Sequence, residues 1–367
     1  MSATTMFRRL FETKSRTVRN PKPARRSRLA FDTLEKRDCP TTASLDPSNG
    51  VLTVTGTAAA ETITINQNGS WINVVGLQTW HESEVAQIVV HGLGSGDTIR
   101  NDTAKPSELY GDTGADIIYG GSGSDTIYGG TNDDRLYGRD SNDFLVGEQG
   151  ADRLYGASDI IGIEAGNTND TLQGGNGPDS LYGGYGDDLL IGGNDNDWID
   201  GTNGNDVLVG ANWDLASSTL NEYEIVAPDS GGLTTNDTLF GAHGNDTLYG
   251  GDGNDNMSGG DEADVMYGGN GTDNMWGAFW HTTTERAGAN NDGSNSDTLY
   301  GGPHRDTLNG GDGDDWLLGD GEADLLFGMN GSDALDGGAG NDTIYGDGRD
   351  GPAYGTGRCG SAATTSC

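Results

Sequence analysis

The chain has 367 residues, of which 64 are glycine and only 32% are hydrophobic, with a formal net charge of −37. So little Leu, Ile and Val excludes a large compact core, and the absence of glycine at every third position excludes a collagen helix. The acidity excludes nucleic acid and anionic membrane as partners of most of the chain and leaves a cation as its natural partner.

The acidity is not uniform. Residues 1–38 hold 11 of the 20 Lys and Arg but 4 of the 57 acids, so the rest carries 53 acids against 9 bases. Residues 1–40 read as a basic, disordered export or targeting segment without the apolar run of an ordinary signal peptide. Within it, Arg25-Arg26-Ser27-Arg28 leads to Leu34-Glu35-Lys36-Arg37. This stretch resembles the arginine-rich N-terminal motif, ending in Leu-Glu-x-Arg, of large planctomycete surface proteins, with Phe31-Asp32 where Leu-Glu is usual. The resemblance implies export to the cell surface.

Residues 41–110 alternate or run apolar in short stretches: Val51–Thr55, Thr62–Ile65, Trp71–Val75 and Gln87–Val90. They are expected to be short strands forming the apolar end cap that a solenoid needs. Gly56–Ile63 and Gly92–Ile99 look like degenerate copies of the repeat that follows.

From residue 111 an aspartate returns every nine residues. The blocks are Asp116, Asp125, Asp134, Asp143, Asp152; Asp170, Asp179, Asp188, Asp197, Asp206; Asp237, Asp246, Asp255, Asp264, Asp273; and Asp297, Asp306, Asp315, Asp324, Asp333, Asp342. In all 21 units Ile, Leu or Met stands two residues after the aspartate. Seven units have the full form Gly-Gly-x-Gly-x-Asp, those ending in Asp125, Asp179, Asp188, Asp255, Asp273, Asp315 and Asp342, while nine lack glycine at the fourth position, Glu262, Glu322 and His304 among the replacements.

Six residues rich in Gly, Asn and Asp make a turn, because these types tolerate positive φ. The next three, such as Thr126-Ile127-Tyr128, make a short strand with the middle side chain on one face. Two units then make one 18-residue coil, with two parallel sheets facing each other across a thin aliphatic layer. The pattern is similar to the Gly-Gly-x-Gly-x-Asp-x-U-x nonapeptide (U, a large aliphatic residue) of hemolysin-type (RTX) calcium-binding proteins over roughly residues 92–346. The expected fold is all-β, a right-handed parallel β-roll. The resemblance implies several Ca²⁺ ions, each held by turn carbonyls and by the repeat aspartates of units stacked in neighbouring coils.

Residues 18 apart lie one strand spacing apart, about 4.8 Å, which costs each stacked carboxylate pair on the order of 1–3 kcal/mol near a surface. A calcium ion, which accepts six or more oxygen ligands, converts that repulsion into attraction. The predicted column Asp116, Asp134, Asp152, Asp170, Asp188, Asp206 and the shorter ones give 14 pairs 18 apart.

The roll is expected in three blocks, 111–210, 233–276 and 294–346, separated by loop insertions at 211–232 and 277–293. The insertions carry Trp213, Tyr223, Phe279, Trp280, His281 and Arg286. Within the first block one unit keeps the phase but has Ile161 where the aspartate belongs and Ile163 at the aliphatic position; it is expected to remain as a coil without an ion. Tyr119, Tyr137 and Tyr155, 18 apart, are expected to stack as a ladder. Residues 347–367 read as a disordered tail. Cys359 and Cys367 are either bridged or two tail thiols, and with Cys39 they are too few for a disulfide framework.

No enzyme is expected. His81-Glu82 lacks a second histidine at the spacing of a zinc protease helix, since Val85 stands there, and Gly-x-Ser-x-Gly does not occur. The chain reads as an extracellular or cell-surface protein that folds on meeting calcium and has a structural role. An adhesin or carbohydrate-binding module, and the calcium-binding part of a larger secreted enzyme, are the alternatives. Calcium is the expected partner and cell-surface polysaccharide or another surface protein the candidate macromolecule, with no nucleic acid and no membrane span.

Overall fold

The computed structural model describes residues 42–157, 168–211, 236–277 and 296–347. Residues 1–40 lie outside the described residues, as do most of 211–232 and 277–293 and all but one of 347–367. Ile161, Ile163 and the three cysteines also lie outside them.

The fold is the expected all-β roll. The described strands form two sheets, one of 14 and one of 15 strands, and successive strands of the repeats alternate between them. Among the described residues there is no α-helix, and no helix is long and apolar enough to cross a membrane. His81 caps a single 3-10 turn, Glu82–Glu84, its Nδ1 lying 2.7 Å from Ser83 Oγ.

Why a nonapeptide folds this way is visible in the coil around Ile127. Its middle position points inward and is fully buried, as are Ile118, Leu136 and Leu145, so the core is one file of aliphatic side chains between the sheets. Thr126 and Tyr128 flank it on the outer face, half-buried against their neighbours one coil away. No coil can cover its own aliphatic residue from above and below, which is why the unit is stable only when stacked.

Some repeat strands have the expected three residues, such as Arg135–Tyr137, but many are longer. Asp125–Thr131 is one strand, because Gly130 and Thr131 at the start of the following turn pair in register with Glu148 and Gln149 of the next coil. Identical turns stacked in register continue the ladder into the turn.

Pairing is parallel throughout the repeats. Antiparallel pairs occur at the N-terminal end, where Thr42–Asp46 pairs with Val51–Thr55, and Trp71–Val74 pairs with both Thr62–Asn68 and Thr79–His81. Leu52, Val54, Ile63, Ile65, Ile72, Val74, Ile88 and Val90 are fully buried there, closer together along the chain than the one inward aliphatic residue of each nonapeptide.

The strands on either side of the first interruption pair directly. Phe144 pairs with Thr171, and Arg153 with Ser180, in each case 27 residues on. No described strand stands between these partners, and the unit of Ile161 and Ile163 lies outside the described residues. The two later interruptions are passed in the same way: Trp198 pairs with Thr238 and Val265 with Thr298. Register is kept because each slip would carry an aspartate out of line with the next.

The tyrosine ladder is present and extends past the gap. Tyr119, Tyr137, Tyr155 and Tyr182 stack at 4.8, 4.9 and 5.0 Å between ring centroids, within 9° of parallel. A second stack joins Tyr249, Tyr267 and Tyr300 at 4.8 Å.

Candidate metal centre

Each repeat aspartate ends a turn and is buried, from Asp237, Asp255 and Asp273 at 0% exposure to Asp333 at 8%. The burial follows from the nonapeptide: the residue before the strand must turn inward for the aliphatic residue two places on to do the same. The carboxylates form two files. The first runs Asp97, Asp116, Asp134, Asp152, Asp179, Asp197, Asp237, Asp255, Asp273, Asp306, Asp324, Asp342. The second runs Asp125, Asp143, Asp170, Asp188, Asp206, Asp246, Asp264, Asp297, Asp315, Asp333.

In both files the backbone N–H of one aspartate donates to Oδ1 of the aspartate in the next coil, over 2.6 Å from Asp97 to Asp116 and up to 3.1 Å from Asp324 to Asp342. All 21 predicted aspartates therefore stand in line, but not with the predicted neighbours. Asp152 is followed by Asp179 and Asp143 by Asp170, so the column joining Asp152 to Asp170 does not exist. Adjacent pairs among the 21 number nineteen rather than 14, because the files pass all three interruptions.

The hydrogen bond uses one carboxylate oxygen. Among the described residues, Oδ2 of Asp97, Asp116, Asp134, Asp143, Asp152, Asp179, Asp188, Asp197, Asp206, Asp246, Asp264, Asp273, Asp306, Asp315, Asp324 and Asp342 is buried with no hydrogen-bond donor. At Asp125 the N–H of Gly121 reaches it at 2.5 Å. A buried acceptor without a donor is costly, and a charged one more so.

The first glycine of every unit makes room for that oxygen. A Cβ on Gly120 would lie 2.6 Å from Asp125 Oδ2 and 2.5 Å from the carbonyl oxygen of Gly138 in the next coil; on Gly268 the same two contacts would be 2.5 Å to Asp273 and 2.6 Å to Gly301. A carboxylate and a carbonyl oxygen thus converge on one point where only hydrogen fits. The three interrupted units take this glycine from before the interruption: Gly156 serves Asp170, Gly210 serves Asp237 and Gly277 serves Asp297. The inserted residues enter between the glycine and its aspartate.

At the fourth position of most units the backbone is left-handed, with or without glycine. Asn132, Ser141, Asp195, Glu262 and Glu322 adopt φ of 67–78° there, at a cost of roughly 1–2 kcal/mol each relative to glycine. Imperfect turns therefore keep the turn's path. Two of the side chains reach back to the preceding coil: Glu262 accepts the Gly244 N–H at 2.9 Å, and His304 Nδ1 accepts that of Gly271 at 3.1 Å.

Burial, with the neighbouring carboxylates adding to it, pushes these groups far above an ordinary carboxyl. Asp116 and Asp152 rise to about 6, Asp134, Asp179 and Asp188 to about 8, Asp143 and Asp264 to about 9 and Asp197 to about 10. A file of such groups holds protons at neutral pH unless another cation replaces them.

The donor set is oxygen only, carboxylate and backbone carbonyl, which suits a hard divalent cation of flexible coordination such as calcium. Among the described residues no group of three or more His, Cys, Asp and Glu side chains converges, so carbonyls would supply the remaining ligands.

Two members of the site were not counted from the sequence. Asp97 is 2% exposed, has the same unpartnered Oδ2 and rises to about 7. The signal was present in Gly92–Ile99. Ahead of it Glu61, in the same place one coil earlier, gives its N–H to Asp97 Oδ1 at 2.7 Å, while its own carboxylate takes the N–H and hydroxyl of Thr57. The extra methylene lets it reach protein donors, so the first file begins on a self-satisfied glutamate. The second begins on Ser107, whose N–H and hydroxyl both donate to Asp125 Oδ1. A further ladder, also unforeseen, uses the residue before the aspartate: Asn205 Oδ1 accepts the Asn245 N–H, and Asn236 Oδ1 that of Asn254.

Eight overlapping stretches match the family described as RTX calcium-binding nonapeptide repeat (4 copies): residues 108–136, 128–160, 164–199, 182–212, 232–266, 249–279, 291–326 and 318–348. Together they cover more than half of the chain. No curated protein matches it.

Proposed function

Since the chain belongs to the RTX calcium-binding nonapeptide repeat family, we propose that it is an extracellular structural protein whose roll folds as calcium binds between its stacked turns. RTX repeats bind calcium, and their proteins are typically secreted. The observation that carries the reading is the second oxygen of the repeat aspartates. The hydrogen-bond ladder would be served equally by asparagine, yet every unit keeps a carboxylate, and in most of them Oδ2 is buried without a donor.

The ion supplies the positive charge that the buried files lack. The chain's part is to place the oxygens. The first glycine lets carboxylate and carbonyl converge, the inward turn before the strand buries the carboxylate, and the N–H to Oδ1 ladder fixes its orientation. Asp97 joins the 21 repeat aspartates as a ligand, and Glu61, satisfied by Thr57, ends the file without an ion. Because the files exist only when coils are stacked, binding and folding are one event.

The reading assigns no reaction to the chain. The tyrosine ladder gives little support to a sugar-stacking module, because its ring faces are spent on one another at 4.8–5.0 Å. Isothermal titration of the full chain with calcium tests the proposal: uptake of many ions per chain supports it, and uptake of none or one refutes it.

A further inference from the structure

We infer that the outer face of the 15-stranded sheet around Arg135 and Arg153 binds a linear anionic polysaccharide, one bearing carboxylate or sulfate groups. Of the nine bases in residues 39–367, five lie between Arg100 and Arg153, so the few cations of a strongly acidic body are concentrated in one stretch of the roll, although acids outnumber them there too. Arg135 and Arg153 are in-register partners on adjacent parallel strands, about 4.8 Å apart along the backbone. Both are exposed, and neither guanidinium has an ion-pair or hydrogen-bond partner among the described residues.

Like charges placed directly opposite in a sheet oppose its formation. The neighbouring bases avoid this. Arg100 and Arg139 share Asp102 at 2.7 and 3.0 Å and lie 5.4 and 5.0 Å from the centre of the Tyr119 ring. Arg135 and Arg153 have no such acid, although the chain is rich in them. An anionic group from outside turns their repulsion into two charge-assisted hydrogen-bonding forks.

The surroundings select the kind of anion. Arg135 and Tyr137, two residues apart, share a face, as do Arg153 and Tyr155. The guanidiniums therefore run beside the tyrosine file, whose stacked rings present edges and not faces. A nucleic acid strand needs ring faces on which bases stack, and those are taken. A file of cations beside a file of phenol edges, both parallel to the roll axis, suits a chain that repeats a charged and hydroxylated unit along its length.

The inference rests on a folded, calcium-loaded roll, so circular dichroism in calcium is recorded first; failure to gain β signal there counts against calcium-driven folding and not against this face. The folded full chain is then passed in millimolar calcium over immobilised polygalacturonate, dextran sulfate, uncharged dextran and single-stranded DNA, alongside the double variant Arg135→Gln, Arg153→Gln. Retention of the wild type on the two charged polysaccharides only, released by salt and weakened at least tenfold in the double variant, is expected. Three results would overturn the inference: no retention of the wild type, retention on DNA in preference to the polysaccharides, or equal retention of the double variant, which would indicate bridging by calcium at the turns.

Discussion

The N–H of Asp143 donates to Oδ1 of Asp170, 2.7 Å away and 27 residues along the chain, where the regular coil has its acceptor 18 residues on. The same substitution of neighbours occurs from Asp206 to Asp246 and from Asp264 to Asp297. The carboxylate files thus stay whole across all three interruptions. A structure that keeps its least soluble charges in line across every interruption is organised around what neutralises them.

This makes a deletion informative. Removing residues 158–166 would leave Gly156-Ala157-Asn167-Thr168-Asn169-Asp170, a regular unit. Thermal denaturation in calcium should show a change within about 1 kcal/mol, as expected for shortening a loop. Were Ile161 and Ile163 part of the core, the loss of two buried aliphatic side chains would cost several kcal/mol.

Asp134→Asn should have effects of opposite sign with and without calcium. Asparagine keeps the acceptor for the Asp116 N–H, bonded at 2.7 Å, and removes a buried charge. In chelator at pH 8, with an osmolyte added to populate the folded state, the variant should be more stable than the wild type, by roughly 1–3 kcal/mol. In saturating calcium it should be less stable and should need more calcium to fold. Paired melting curves decide it.

Gly120→Ala should be poorly tolerated, since its methyl group would meet both Asp125 Oδ2 and the Gly138 carbonyl. A loss of about 1–3 kcal/mol is expected from overpacking, with weaker calcium uptake. Ser122→Ala, at an exposed position of the same turn, should leave both unchanged. Equal melting temperatures for the two variants would count against the convergence of oxygens at the first glycine.

The pH dependence without calcium should run opposite to ordinary acid denaturation. The files hold protons up to about pH 6 at Asp116, 8 at Asp134 and 10 at Asp197, whereas the unfolded chain loses them near 3.8. The folded state then binds more protons than the unfolded one across that window, and its stability falls as pH rises. In chelator, β signal and denaturation midpoints should be highest near pH 4, where the files are protonated, and decline towards pH 8, where the roll is no longer populated. In calcium the trend should reverse, because protons displace the ion. A rising midpoint from pH 4 to 8 in chelator would remove the electrostatic basis of the account.

Much of this was legible in the sequence, for a physical reason. The aspartate and the aliphatic residue two places on both face inward, one needing a partner and the other a core, and neither tolerates a shift. Their nine-residue period therefore gave the roll, its two sheets, the tyrosine stack and the 21 carboxylates. The neighbours across gaps were hidden. The interruption before Asp170 is itself nine residues long, so Ile161 keeps the phase while Phe144 pairs straight to Thr171. Asp97 was legible within the degenerate copy Gly92–Ile99 but stood outside the unbroken nine-residue series, its turn beginning Gly92-Leu93 in place of a glycine pair. That Glu61 closes the file depends on its reach to Thr57, a matter of one methylene that no spacing reveals.

The most direct test is far-UV circular dichroism of the full chain during a calcium titration, with magnesium as control. The account predicts a cooperative gain of β signal in the range of roughly 0.1 to several millimolar calcium, reversed by chelator and not reproduced by magnesium. A spectrum already fully β in excess chelator at neutral pH, with neither signal nor thermal stability added by calcium, would contradict it and reduce the aspartates to turn formers.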